Sequence, residues 1–315
     1  MKRLLGVLVL SGLTAQAQTI TETFGSGANQ FSIDFVTIGN PGNAADPEGL
    51  RYGSVSYVYH IGKYEVSRDM VDKANPAGGL GISLYDMSRF GGNGVNRPAT
   101  GFGWFGAARF VNWLNTSQGY LPAYKFDSSG NFQLWSTGEI GYNPNNQFRN
   151  ALARYVIQNH NEWYKAAFGS PNGVWYDYST GSDSPPASVP SGTSPNTAIF
   201  GGNYGSLYGS PVGNSPADVD NAGGLSAWGT MAQGGNVGEF MENARDGLND
   251  STTEIRELRT GAWMDNAGAT YAHIHFAEIS PSEFGSNDWG LKGSRLPLSE
   301  VAASARFFPI GATSL

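Results

Sequence analysis

The sequence predicts a loop-heavy globular domain in which short strands and a few helices are joined by long, turn-rich connections. Composition is the first ground: 44 glycines stand beside 13% aromatic residues in a chain of 315. Bulky anchors therefore punctuate the turns, unlike disordered tracts, which lack aromatics. The second ground is the alternation of apolar and polar residues over Phe31–Ile38, the pattern of a half-buried strand. The third is helical spacing, seen in Phe105, Ala108, Arg109 and Trp113 and again over residues 162–168.

At the start, Lys2 and Arg3, the apolar run from Leu4 to Leu13 and Ala15-Gln16-Ala17 read as a secretory signal over residues 1–17. No later segment approaches the roughly 20 apolar residues a transmembrane helix needs. The expectation is an exported protein, secreted or periplasmic, whose residues 18–315 form one domain with no membrane span after signal cleavage. The tail 296–315 carries no second apolar anchor.

Gly39-Asn40-Pro41-Gly42-Asn43 ends the first strand with strong turn chemistry. Val55, Tyr57, Tyr59 and Ile61 share one face at period two and predict a second strand, in which the tyrosines serve sheet packing rather than a ligand platform. Ser67 is placed to cap a short helix. The helix over 104–114 should close at Asn115, with Trp113 in the core. Residues 124–126 and 132–134 flank a five-residue turn opened by Asp127 and read as a hairpin. Asn159 and Glu162 have capping-box spacing and open the next helix, which gives Glu162 a structural task. From Gly169 to about Gly224 the chain is rich in Gly, Ser, Pro and Asn, longer than ordinary compact connections.

Charge and cysteine content exclude whole classes of function. The 19 basic residues are scattered among 26 acidic ones, for a net charge of −7, which argues against a nucleic-acid partner. With no cysteine, neither disulfides nor thiol chemistry are available, and stability must come from burial, hydrogen bonding or bound metal.

The motifs then add up in order. Phe35-Val36-Thr37-Ile38-Gly39-Asn40-Pro41-Gly42-Asn43, Gly62-Lys63-Tyr64-Glu65-Val66-Ser67 and Ala107-Ala108-Arg109-Phe110-Val111-Asn112-Trp113-Leu114 are followed by Asn161-Glu162-Trp163-Tyr164-Lys165-Ala166-Ala167. Gly234-Gly235-Asn236-Val237-Gly238-Glu239-Phe240 and Leu258-Arg259-Thr260-Gly261-Ala262-Trp263 complete the series. Over roughly residues 31–293 the chain resembles the formylglycine-generating-enzyme, or sulfatase-modifying-factor, family. That resemblance implies an irregular, loop-rich α+β fold related to C-type lectin folds, with bound calcium in characterised members.

The departures bear on function. The family's two copper-binding cysteines lie just after the segment matched by Gly261-Ala262-Trp263, where ungapped counting places Asp265 and Thr270. Neither a carboxylate nor a hydroxyl replaces the thiolate that holds copper(I), so copper and the oxidase reaction are not expected. Val156 and Gln158 stand where the family has Arg and Pro, His160 replaces a Glu, and Gly238 and Phe240 replace tryptophans.

Other candidates remain. The resemblance carries a calcium site onto Asn236, Val237 and Glu239, and a second, weaker one near Asn203; the competing reading makes Asn236 a turn residue. His273 and His275 share a face of a predicted strand with Glu278 nearby, a set that suits a transition metal, although three or four convergent ligands are usual and a hydrogen-bonded strand pair competes. Asp218-Val219-Asp220 lacks the closing glutamate of a calcium loop and reads as a polar turn. The leading expectation is a non-oxidase binding or structural module whose loops present Trp175, Tyr176 and Tyr178 to a glycan, peptide or surface protein. The alternative is an enzyme of changed mechanism, using a metal at His273/His275 or retaining residual sulfatase-modifying activity.

Overall fold

Thr19–Phe24 (β1) and Phe31–Ile38 (β2) pair antiparallel from Thr19↔Val36 to Phe24↔Phe31. The turn between them needs Gly25: its φ is +73°, and a Cβ there would meet the Asn29 carbonyl oxygen at 2.2 Å. The computed structural model describes residues 18–48, 51–201, 215–259, 261–265, 276–279 and 289–296, with 276–279 and Trp289 described by backbone alone. The signal segment 1–17 and residues 297–315 of the tail therefore lie outside the described residues, as do Asn203, Thr270, His273 and His275.

The second predicted strand is shorter than its pattern. Only Tyr59–Gly62 (β3) pairs with β2, because Asn43 takes over the backbone upstream, its Nδ2 donating to Gly53 O at 2.8 Å and its Oδ1 accepting from Val55 N. The period survives where the pairing does not: Val55, Tyr59 and Ile61 are all buried. The Tyr57 hydroxyl donates to Glu162 Oε1 and that of Tyr59 to the Glu162 carbonyl, so both tyrosines anchor structure.

Helix α1, Arg68–Gly78, starts as expected with Ser67 Oγ accepting from Met70 N–H, and ends at Gly79 in the left-handed region. Helix α2, Trp104–Ser117, runs past its expected stop. Asn115, fully buried, does not cap it but reaches outward: Oδ1 accepts from Arg154 N and Tyr155 N at 2.9 Å each, and Nδ2 donates to Tyr155 O at 2.7 Å. Lys125–Phe126 (β4) and Phe132–Gln133 (β5) form the expected hairpin, with Asp127 Oδ1 accepting from Ser129 and Asn131 N–H. Tyr155–Val156 (β6) leads to α3, His160–Phe168, which opens on the capping box of Asn159 and Glu162. Among its described residues, the long loop beyond it holds one pair of named strands, the short parallel Ala187–Ser188 (β7) and Thr197–Ala198 (β8).

Gly238–Ala244 (β9), Arg256–Arg259 (β10), Phe276–Ile279 (β11), Trp289–Gly290 (β12) and Ser294–Arg295 (β13) complete the chain order. One sheet runs β1-β2-β3-β13-β6 and the other β11-β10-β9-β12. Residues 291–293 thus cross from one sheet to the other. The main core is aromatic: Trp104, fully buried, meets Tyr124, Phe132 and Phe148 edge-on and donates Nε1–H to Met241 O. The fold is mixed α and β with little helix, which agrees with an irregular α+β arrangement. No helix among the described residues is long and apolar enough to cross a membrane.

Replacing Asn115 by Leu keeps the volume but strands two N–H groups and a carbonyl in the core, each costing about 1–3 kcal/mol. Urea denaturation of Asn115→Leu should show a loss of about 3 kcal/mol or more; a loss under about 1 kcal/mol would mean that α2 and β6 do not depend on this amide.

Candidate functional site

The matched motif residues 234–239 lie where the two sheets meet. Asn236 adopts a φ of 63°, as a turn residue, and is fully buried. Its Oδ1 accepts from Ala217 N–H at 2.7 Å, and its Nδ2 donates to Glu65 Oε2 at 2.5 Å. Val237 N–H donates to Glu65 Oε1 at 3.1 Å. Glu239 Oε2 accepts from the Trp163 indole at 3.0 Å, while its Oε1 faces Lys292 Nζ at 3.8 Å, near enough for Coulomb attraction but too far for a hydrogen bond.

Lys292 belongs to none of the motifs read from the sequence. Its ammonium, with the side chain fully buried, donates to Met231 O at 2.6 Å and lies among Glu239 and Glu65. Burial lowers its pKa, and the two carboxylates oppose that shift. Burial raises Glu65 to about 7 and Glu239 to about 8, against the pull of Lys292. One lysine facing two carboxyls leaves one negative charge in excess, so burial favours a proton on the pair.

This arrangement does not fit a calcium cage. Calcium takes six to eight oxygen ligands, yet Asn236 Oδ1 is committed to a backbone N–H and an ammonium group already faces Glu239. Among the described residues no three His, Asp or Glu groups converge for a metal. Asn203, the weaker calcium candidate, lies outside the described residues. So do His273 and His275, and Glu278 is described only as part of β11.

At the position matched to the first family cysteine, Asp265 closes its own turn. Its Oδ2 accepts from Gly261 and Ala262 N–H at 3.0 and 2.9 Å, and its carbonyl accepts from Gly201 N–H. Gln158, where the family has Pro, is equally structural: fully buried, it donates Nε2–H to Phe240 O and accepts from Gly293 N–H at 2.7 Å. His160, in place of a family Glu, is stacked on Tyr52 and held between Glu257 Oε2, 2.6 Å from Nδ1, and Arg259 on Nε2. Burial and the Arg259 charge lower its pKa to about 4, so the imidazole is neutral at pH 7.

Of the aromatic loop candidates, Trp175 helps line a pocket of about 160 Å³ that also touches Asn40, Asn43, Lys165 and Ser170. Its ring sits 5.7 Å from that of Tyr164, and Gly53 lies beneath it at φ +92°, where a Cβ would strike the indole at 2.2 Å. Lys165, mostly buried, donates to Asn40 O at 2.9 Å, and burial lowers its pKa to about 8. Tyr176 and Tyr178 continue the segment, with their backbone N–H groups bound to Phe168 O and Ser182 O. They are half-buried and are not part of this pocket's lining.

If Lys292 supplies the positive charge, calcium should not act through Glu239. Differential scanning calorimetry of wild type and Glu239→Gln, each with calcium and with chelator, should give the same calcium response in both. A calcium-dependent rise in melting temperature present in wild type and absent from Glu239→Gln would restore Glu239 as a ligand.

No protein-family profile matches the chain, and no curated protein matches it. Among solved structures, Treponema denticola variable protein 1 superposes on 88% of this chain and 99% of its own, with a TM-score of 0.57 at 17% identity. The crystal structure of CarF covers 84% of this chain and 98% of its own, with a TM-score of 0.58 at 21% identity. The likeness is one of fold, and these neighbours support a formylglycine-generating-enzyme-like architecture for the chain.

Proposed function

We propose that this chain is an exported, non-oxidase member of the formylglycine-generating-enzyme family, with its relation to C-type lectin folds, and serves as a binding or structural module. The observation that carries the reading is Asp265. At the position matched to a catalytic cysteine stands a carboxylate that holds its own turn closed, in a chain without any cysteine. No thiolate is present to hold copper(I) or to exchange with a substrate cysteine. The scaffold meanwhile keeps concave loop surfaces, including the pocket walled by Trp175 with Lys165 at its base. A glycan, a peptide or a surface protein is the class of partner that such loops serve.

The mature protein, incubated with copper(I), oxygen and a sulfatase-derived cysteine peptide, should yield no formylglycine by mass spectrometry. Displayed on arrays of glycans and peptides, it should retain ligands, and Trp175→Ala should weaken retention of those that use the Trp175 pocket by about tenfold with secondary structure intact by circular dichroism. Formylglycine production would overturn the non-oxidase reading, and an absence of any retained ligand would overturn the binding role.

A further inference from the structure

A second concavity, of about 290 Å³, opens where three loops meet around the start of α3: the segment before β3, the segment before β6 and the segment after β9. Its floor is an ion pair. Arg149 Nη1 lies 3.4 Å from Glu242 Oε2, with the two side chains 15% and 2% exposed. Glu242 is fully engaged, its Oε1 accepting from the Tyr124 hydroxyl at 2.8 Å and its Oε2 from Asn146 Nδ2 at 2.7 Å. Arg149 Nη1, by contrast, is buried without a hydrogen-bond partner among the described residues. A buried donor in that state is unfavourable unless water or a ligand meets it.

The walls repeat one functional group. Asn145, Asn146, Asn159, Asn161, Asn243 and Asn249 all line the cleft. Most of them commit the amide oxygen to the protein: Asn161 Oδ1 accepts from Gly53 N–H, Asn243 Oδ1 from His160 N–H and Asn249 Oδ1 from Ala244 N–H. The Nδ2 groups of Asn161 and Asn243 then have no protein partner among the described residues. Each of these amides is held at its oxygen, so its free donors are fixed in direction before any ligand arrives.

The result is a cleft rich in oriented donors yet close to neutral, because Glu242 answers the Arg149 charge. Its lining is mostly polar, with Val55 and Tyr57 its two large apolar residues, and Val55 is itself buried, so a peptide side chain finds little apolar surface to anchor on. Free phosphate or sulfate would meet Glu242 beneath Arg149. A hydroxyl-rich ring fits both properties: its oxygens accept from several fixed N–H groups at once, and it carries no charge.

We propose that this cleft binds a neutral saccharide unit, with Asn161 Nδ2, Asn243 Nδ2 and the Arg149 guanidinium donating to its hydroxyl oxygens. The inference rests on the binding-module reading and names the ligand class and the site. Ser56, exposed at the rim, gives a variant that fills the cleft without touching its internal hydrogen bonds. Arg149→Lys keeps the charge opposite Glu242 but removes the planar fork.

The mature protein is applied to an array of neutral and acidic oligosaccharides, with Ser56→Trp, Arg149→Lys and Trp175→Ala alongside and melting temperatures recorded for each. Retention of neutral saccharides should fall at least tenfold in Ser56→Trp at unchanged melting temperature, fall also in Arg149→Lys, and persist in Trp175→Ala. Saccharide retention untouched by Ser56→Trp but lost in Trp175→Ala would sink the cleft and leave the binding role standing. Retention of acidic glycans alone, or of peptides with no saccharide, would equally overturn this assignment.

Discussion

A lysine ammonium buried where the two sheets join sets the terms for much of this structure. Lys292 lies in the short crossover between β12 and β13, so its backbone is shared by both sheets. Gly62 on β3 lies so close that a Cβ there would come within 2.7 Å of the Lys292 carbonyl oxygen. The side chain is fully buried, and an isolated charge there would cost several kcal/mol. Glu239 on β9 and Glu65 after β3 answer it, one from each side of the junction. Those carboxylates in turn fix Asn236, Val237 and Trp163 through the hydrogen bonds they accept.

The same solution recurs along β10, whose residues are all buried. Arg256 has no hydrogen-bond partner among the described residues but lies 3.6 Å from the centre of the Phe148 ring and 4.6 Å from that of Trp104. Arg259 is enclosed by the rings of Tyr52, Trp163 and Tyr164. Aromatic faces attract a desolvated guanidinium by about 2 kcal/mol or more, which offsets part of the cost of burying it. In a chain without disulfides, charge held by carboxylates and rings works together with the aromatic core to join the layers.

What the sequence disclosed was local. The β2 strand, the Ser67 cap, the Asp127 hairpin turn and the Asn159–Glu162 box each depend on neighbours within a few residues, and each stands in the structure, although the β2 alternation breaks where Phe35 and Val36 are both buried. The resemblance drew attention to Glu65, Asn236 and Glu239 without revealing what they face. Lys292 is 53 positions beyond Glu239 and Gln158 is 135 before Gly293, so no periodicity links them. Asn115 looked like a helix stop because Asn often is one; tertiary bonding to β6 overrode that preference. The asparagine cleft was equally hidden, since its amides come from separate loops and each one singly reads as turn chemistry.

Fold and proposed role meet at this junction. The residues matched to a metal site make an internal ion cluster, and the position matched to a catalytic thiol makes a turn, while the open loops keep unpaired donors turned toward solvent. The most direct test of that account is a thermodynamic cycle of Lys292→Met against the combined change Glu65→Gln/Glu239→Gln, read by urea denaturation. Lys292→Met alone should cost about 3–5 kcal/mol by leaving a buried carboxylate unanswered, and the cost should shrink sharply in the background where both Glu65 and Glu239 are Gln. Equal costs in the two backgrounds would show that the lysine is not coupled to these carboxyls and that the junction is held by something else.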